Sequence, residues 1–231
     1  MNLDFENNEM ILRENALVAL SNEINKDLKK KAYMHVKRMS DVILSIIGLI
    51  ILSPIFLLLA LFVKLDSKGP VFFAHTRIGK NGKKFKMYKF RTMYENAEDM
   101  IKDFTPEQMK EWKENYKLTN DPRVTKVGKI LRKTSLDELP QIINILKGEL
   151  SIIGPRPVTN PELEKYGNNK DEFLSVTPGL TGYWQANGRS NTTYEQRMEM
   201  ELYYCKNMSF LLDLKIFFKT ILTVLKREGA V

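Results

Sequence analysis

Ser135–Pro157, SLDELPQIINILKGELSIIGPRP, joins adjacent carboxylates at Asp137 and Glu138 to an apolar helical stripe, a glycine and a Gly-Pro-Arg-Pro turn. Ser135 and Glu138 have the spacing of a capping box. Pro140 argues against that register, because a proline so far inside a helix clashes with the carbonyl four residues back. With the cap moved to Asp137, Pro140 falls in the first turn, where its missing N–H costs little. The spacing then predicts a helix with Leu139, Ile142, Ile143 and Leu146 on one face and Gly148 as its stop. The same geometry has a chemical reading. A carboxylate at a helix N-terminus lies where free N–H groups and the helix dipole attract anions, so a phosphate can be held beside it. Asp137 is then placed to attack phosphorus, and Glu138 to hold a metal or move a proton. Pro155 and Pro157 stiffen the backbone around Arg156, whose planar fork suits a phosphate. An ion pair in a rigid turn explains Arg156 as well, and spacing alone leaves cap and catalyst both open.

Directly upstream, Lys129, Arg132 and Lys133 share one helical face, which for the two lysines is satisfied by solvent. Further back, Val42–Val63, VILSIIGLIILSPIFLLLALFV, is the one uncharged apolar run. As a helix it would extend about 33 Å, enough to cross a hydrocarbon core of roughly 30 Å, so a spanning helix is the simplest reading. Two features oppose it. Ser53-Pro54 lies at the midpoint, where proline removes a backbone bond and bends the helix. Lys37 and Arg38 precede the run and Lys64 and Lys68 follow it, whereas a crossing helix favours basic residues at one end. A helix-break-helix entering and leaving on one face satisfies both.

After Gly69-Pro70 the chain reads as a basic β-hairpin, with arms at Val71–Phe73 and Phe85–Phe90 and Asn81-Gly82 near the turn. Its Lys80–Lys86 cluster suits headgroups. Glu95–Lys117 is a charged helical stretch interrupted at Thr105-Pro106. The glycines of Pro178–Gly182 suit tight turns or close approach to a ligand. Thr192–Asn207 is an expected helix, and Ser209–Arg227 an amphipathic one. There Phe210, Leu211, Leu214, Phe217, Phe218, Ile221, Leu222, Val224 and Leu225 face away from Asp213, Lys215, Lys219, Lys226 and Arg227, and an interfacial position is expected. At the other end, residues 1–35 are polar and helical in pattern. Asp4, Glu6 and Glu9 stand where a signal peptide needs basic and then apolar residues, so none is expected.

The 231 residues make one domain of ordinary size plus attachments, and a formal charge of +8 favours anionic partners: phosphorylated substrates, acidic lipid or nucleic acid. A single cysteine, Cys205, excludes an internal disulfide. The two histidines, His35 and His75, are too separated for a zinc site, so any metal should be a hard cation on carboxylates.

LRKTSLDELPQIINILKGELSIIGPRP, with KFRTM at Lys89–Met93 and PGLTGYWQANGR at Pro178–Arg189, resembles the bacterial sugar transferase family, the small monotopic polyprenyl-phosphate phosphoglycosyl transferases. The likeness runs from about Lys37 onward. It implies a re-entrant membrane hairpin around Ser53-Pro54 and Asp137-Glu138 as catalytic pair and metal site. It also implies Lys89, Arg91, Arg132, Arg156 and Arg189 as phosphate-binding residues. Two positions depart from the family pattern: Glu201 replaces an aspartate before Tyr203-Tyr204, and His75 a glutamine.

The expected fold is α+β and mainly helical: a monotopic membrane protein with a polar N-terminal arm (1–35), a re-entrant membrane helix (36–68) and a cytosolic catalytic domain (69–231). The resemblance implies transfer of a sugar 1-phosphate from a UDP-sugar to polyprenyl (undecaprenyl) phosphate, with Mg2+, through an aspartyl intermediate. It implies residence on the cytoplasmic face of a bacterial inner membrane, in capsule, exopolysaccharide or glycan assembly. Expected partners are the UDP-sugar, polyprenyl phosphate and membrane lipid, with room for a homo-oligomer. Nucleic acid is excluded by the apolar run and the want of a binding motif. The competing reading is a non-catalytic membrane-anchored scaffold whose carboxylates only cap a helix.

Overall fold

The computed structural model describes residues 2–115, 118–188 and 192–225. They separate into two compact units, one up to Ser40 and one from Asp41 onward. The first unit is helical throughout its described residues, and its side chains from Leu20 to Ala32 are exposed.

Helix α1 runs as one element, Asn2–Asp66, with Pro54 inside it. The interruption expected at Ser53-Pro54 is therefore not a break in helical conformation. Ser53 instead donates its hydroxyl to the Ile50 carbonyl at 2.9 Å, an acceptor three residues back. α1 is the one helix among the described residues long and apolar enough to cross a membrane. Ile43, Ile47, Ile50, Ile51, Leu57 and Leu61 are exposed along it. On both sides of Pro54, α1 also touches the rest of the second unit. Asp41 Oδ1 accepts from the Ile152 N–H at 2.9 Å before Pro54, and Leu59 and Val63 enter a core with Phe90 and Leu131 after it.

Strand β1, Phe72–Ile78, pairs antiparallel with β2, Lys84–Phe90, in the hairpin expected from sequence. Its turn takes Asn81 and Gly82 at φ 55° and 74°, a conformation that asparagine and glycine adopt with least cost. Along β2, Phe85 and Met87 point inward and pack on Ile145 and Leu150, while Lys84 and Lys86 are exposed.

Helix α2, Pro106–Asn115, begins where Thr105-Pro106 was expected to divide the charged stretch, and Thr105 and Gln108 exchange backbone-to-side-chain bonds there. Helix α3, Lys126–Thr134, starts on a Thr125 cap, and Asp66 Oδ2 accepts its Val127 N–H at 2.9 Å. Helix α4, Gln141–Lys147, ends at Gly148 with φ 79°, as the glycine stop predicts. The buried face of α4 is Gln141, Ile142, Asn144 and Ile145, not the wholly apolar set read from spacing. Asn144 is the reason: its Nδ2 donates to the Lys86 carbonyl at 2.7 Å and to Glu149 at 2.6 Å, and its Oδ1 accepts the Tyr88 N–H at 3.0 Å.

Strand β3, Ser151–Ile153, runs parallel to β4, Gly179–Thr181. Short helices α5 (Asn160–Glu164), α6 (Lys170–Leu174) and α7 (Tyr183–Asn187) connect these to α8, Tyr194–Asn207, and α9, Phe210–Leu225. The glycines at 154, 179 and 182 permit a close backbone approach, since a Cβ on Gly179 or Gly182 would collide with the Gly154 backbone.

Helix α9 departs from the simple amphipathic picture at one residue. Asp213, read as part of the solvated face, is buried and accepts the Tyr204 hydroxyl at 2.7 Å, which lets a carboxylate enter the interior. Ile216 also faces the core, while Phe210, Leu211, Phe217, Phe218 and Leu222 stay exposed. Lys226 and Arg227 lie outside the described residues.

Candidate active site

The joint between α3 and α4 makes the site. Ser135 ends α3 in the left-handed region at φ 57°, and Leu136–Glu138 then form one tight turn before α4. Pro140 stands at the N-cap of α4 and Ser135 at that of the tight turn before it, and neither makes a side-chain capping bond. Asp137 is thus not the helix cap that the spacing suggested. The backbone reversal at Ser135 supplies the start of α4 and frees both carboxylates for other partners.

Those partners are cations from β2, from the turn after β3 and from α3 itself. Lys89 lies on the same face of β2 as Phe85 and Met87, which aims its ammonium inward. Its Nζ donates to Glu138 Oε1 at 2.6 Å and lies 3.7 Å from Asp137 Oδ2. Arg156, on the turn after β3, brings Nη2 to 3.6 Å from Glu138 Oε1. Arg132 lies one turn before the joint; its Nε donates to Thr92 Oγ1 at 3.0 Å, and its charge acts on Asp137. Lys129 and Lys133 are exposed.

The two carboxylates are driven apart electrostatically. Burial would raise the Glu138 carboxyl, but Arg156 and Lys89 outweigh it and hold the pKa at about 2, so this group is ionised. Burial raises the Asp137 carboxyl, and the Glu138 charge beside it adds to that rise, against the pull of Lys89 and Arg132. The pair therefore combines a permanent anion with a buried carboxyl of higher proton affinity.

Arg91 is not brought to this centre. Its guanidinium donates to the carbonyls of Val63 at 3.3 Å and Ser67 at 2.8 Å, and to that of Lys68, closing the C-terminus of α1. Arg189 lies outside the described residues.

Among the described residues no group of three or more metal-ligating side chains occurs. Two adjacent carboxylates, one of them ionised, still suit Mg2+, which keeps several waters and takes only one or two protein carboxylates when a substrate phosphate completes its shell.

Glu201 has a larger place here than its sequence suggested. It is fully buried in α8, and its Oε1 accepts the Arg156 backbone N–H at 3.1 Å. Burial pushes its carboxyl up to about 7. Sequence reading also missed Glu162, which takes Arg77 at 2.9 Å and Arg197 at 3.4 Å and ties β1, α5 and α8 together. A Thr159–Glu162 capping pattern was the only signal for it.

A model of the bacterial sugar transferase family matches residues 32–227. An uncharacterized sugar transferase of Haemophilus influenzae is 45% identical over 90% of this chain and 45% of its own length. The exopolysaccharide production protein ExoY of Sinorhizobium fredii is 48% identical over 84% of this chain and 87% of its own. An undecaprenyl-phosphate galactose phosphotransferase of Salmonella typhimurium is 43% identical over 90% of this chain and 44% of its own. The chain thus spans about half the length of the first and third of these relatives.

Proposed function

We propose that this chain, which belongs to the bacterial sugar transferase family, moves a sugar 1-phosphate from a UDP-sugar to polyprenyl phosphate and releases UMP. The observation that carries this reading is the Asp137-Glu138 pair, uncapped and ringed by Lys89, Arg132 and Arg156. A scaffold that used these carboxylates only as helix caps would place one of them at the N-cap of α4, and that position is held by Pro140.

The reaction runs as two displacements. An Asp137 carboxylate oxygen attacks the β-phosphorus of the UDP-sugar, the bond from that phosphorus to the bridging oxygen breaks, and UMP leaves with the electron pair. An oxygen of the polyprenyl phosphate then attacks the same phosphorus, and the Asp137 O–P bond breaks to restore the carboxylate. Lys89, Arg132 and Arg156 offset the charge gathered when one phosphate approaches another. Glu138 stays ionised and holds Lys89 and Arg156 at the centre. Mg2+, held by Glu138 and Asp137 with the diphosphate, would supply further charge neutralisation.

The water-soluble donor and the lipid carrier must meet at a membrane surface. A re-entrant α1, entering and leaving on the cytoplasmic face of the inner membrane by bending at Ser53-Pro54 without loss of helical conformation, brings them together. The apolar side of α9, which is exposed, would lie in the interface as well. The product enters exopolysaccharide, capsule or glycan assembly.

The test is UMP release from UDP-hexoses by detergent-solubilised protein with Mg2+ and undecaprenyl phosphate. Asp137→Asn should abolish both UMP release and a phosphosugar adduct seen by intact-protein mass spectrometry, with the far-UV spectrum unchanged. Turnover near the wild-type rate in that variant would sink the covalent route, and no release by wild type would favour the scaffold.

A further inference from the structure

We propose that Glu201 is a positioning residue: from complete burial in α8 it takes the backbone N–H of Arg156 and so sets the Arg156 guanidinium on Glu138. This rests on the reading of Asp137-Glu138 as a catalytic pair.

Pro155 and Pro157 have no N–H, so Arg156 carries the single backbone donor of that tripeptide. Neighbouring backbone holds the segment on both sides. The Pro155 carbonyl accepts from Gly179 N–H at 2.8 Å, and the Val158 carbonyl accepts from Ile78 N–H at 2.9 Å. Between these anchors Arg156 has no sheet partner. Its N–H goes to Glu201 Oε1 at 3.1 Å, across 45 residues of sequence, and its guanidinium Nη2 reaches Glu138. The two prolines thus restrict the chain and leave one donor, and Glu201 occupies that donor.

A carboxyl is an expensive choice for this position. Glu201 is fully buried, and its Oε2 has no hydrogen-bond partner among the described residues. A buried polar group with half its capacity unused costs free energy that an apolar residue in the same core would not. The Arg197 and Arg156 charges offset part of that cost. What the carboxyl supplies, and an apolar side chain cannot, is an acceptor at the Arg156 amide.

The experiment uses the full chain in detergent and has two arms. In hydrogen exchange read by mass spectrometry, the wild-type Arg156 amide, isolated by its flanking prolines, should be strongly protected. Exchange at the rate of an unstructured amide overturns the proposal whatever the activity. Glu201→Met should speed that exchange, while Glu201→Gln, which keeps an acceptor without the charge, should preserve protection. In UMP release, loss of one such hydrogen bond corresponds to a fall of about 10-fold in kcat for Glu201→Met. Glu201→Gln should stay within roughly 3-fold of wild type. In an Arg156→Ala background, Glu201→Met should add less than about 2-fold, because its effect passes through Arg156. Full additivity there, or equal losses for Gln and Met, would make Glu201 a merely structural residue. Should wild type release no UMP, the catalytic reading fails, and the exchange arm still decides whether Glu201 holds Arg156.

Discussion

Lys89 and Arg156 converge on the same oxygen of Glu138, while Asp137 beside it is held less tightly. This asymmetry divides the roles. Glu138, kept at about pKa 2, remains an anion at any working pH and cannot serve as a proton donor. Asp137 has a raised pKa, and the proposed mechanism requires it ionised for attack, so on that mechanism turnover is present above that pKa and lost as pH falls through it. The acid limb of the UMP-release profile should therefore lie above the ordinary aspartate value of about 3.9. Lys89→Met removes the cation that most lowers the Asp137 pKa, so the limb should move to higher pH. A limb that stayed in place would separate Lys89 from Asp137. Arg156→Lys keeps the charge but shortens the reach and loses the fork. UMP release should fall by at least about 10-fold, whereas unchanged turnover would reduce Arg156 to a turn residue.

The elements are arranged so that strand β2, helix α3 and a proline turn each deliver one cation to the two carboxylates of the helical joint. Asn144 fixes the first of these relations by bonding α4 to the β2 backbone at Lys86 and Tyr88. Its truncation leaves a strand N–H and a carbonyl without their partner. Asn144→Ala should therefore lower unfolding stability by about 1–3 kcal/mol in urea titrations. UMP release should weaken with it, since Lys89 rides on the same strand. Stability equal to wild type would show that the hydrogen bonds are replaced by water. Arg91 illustrates the opposite outcome: its basic charge serves the carbonyls that end α1. Both Arg91 and Lys89 lie in one short motif, but one ends in the strand beside the carboxylates and the other beneath the end of α1.

At the level of the whole molecule, α1 presents a long apolar surface, and the cores around Leu59 and Val63 tie its later part to the strand and helices that carry the site. If α1 is re-entrant, single cysteines placed at Lys37 and at Lys68 should both resist a membrane-impermeant maleimide added outside intact cells. Labelling of one end would establish a crossing helix. The native Cys205 is buried, with its thiol pushed up to about 12, so it should remain silent in that assay. Pro54→Leu restores the missing backbone donor and should shift α1 toward the crossing topology, exposing one end.

Local chemistry made much of this protein readable from its residues. The hairpin followed from Asn81-Gly82 between apolar arms, the end of α4 from Gly148, and a helix long and apolar enough to cross a membrane from its uncharged run. These features depend on neighbours in sequence, through backbone preference and hydrophobic period. Asp137 and Glu138 were singled out by their likeness to the family's Asp-Glu pair, because spacing alone fitted a helix cap as well as a catalyst. Tertiary structure alone decided what surrounds them. Whether Asp137 capped a helix turned on the left-handed Ser135 before it, and whether Arg91 joined the site turned on where α1 ends. The burial of Asp213 against Tyr204 and of Glu201 against the Arg156 amide had no local signature either. A buried charge is tolerated only when a partner reaches it, and those partners come from distant parts of the chain, where no periodicity points to them.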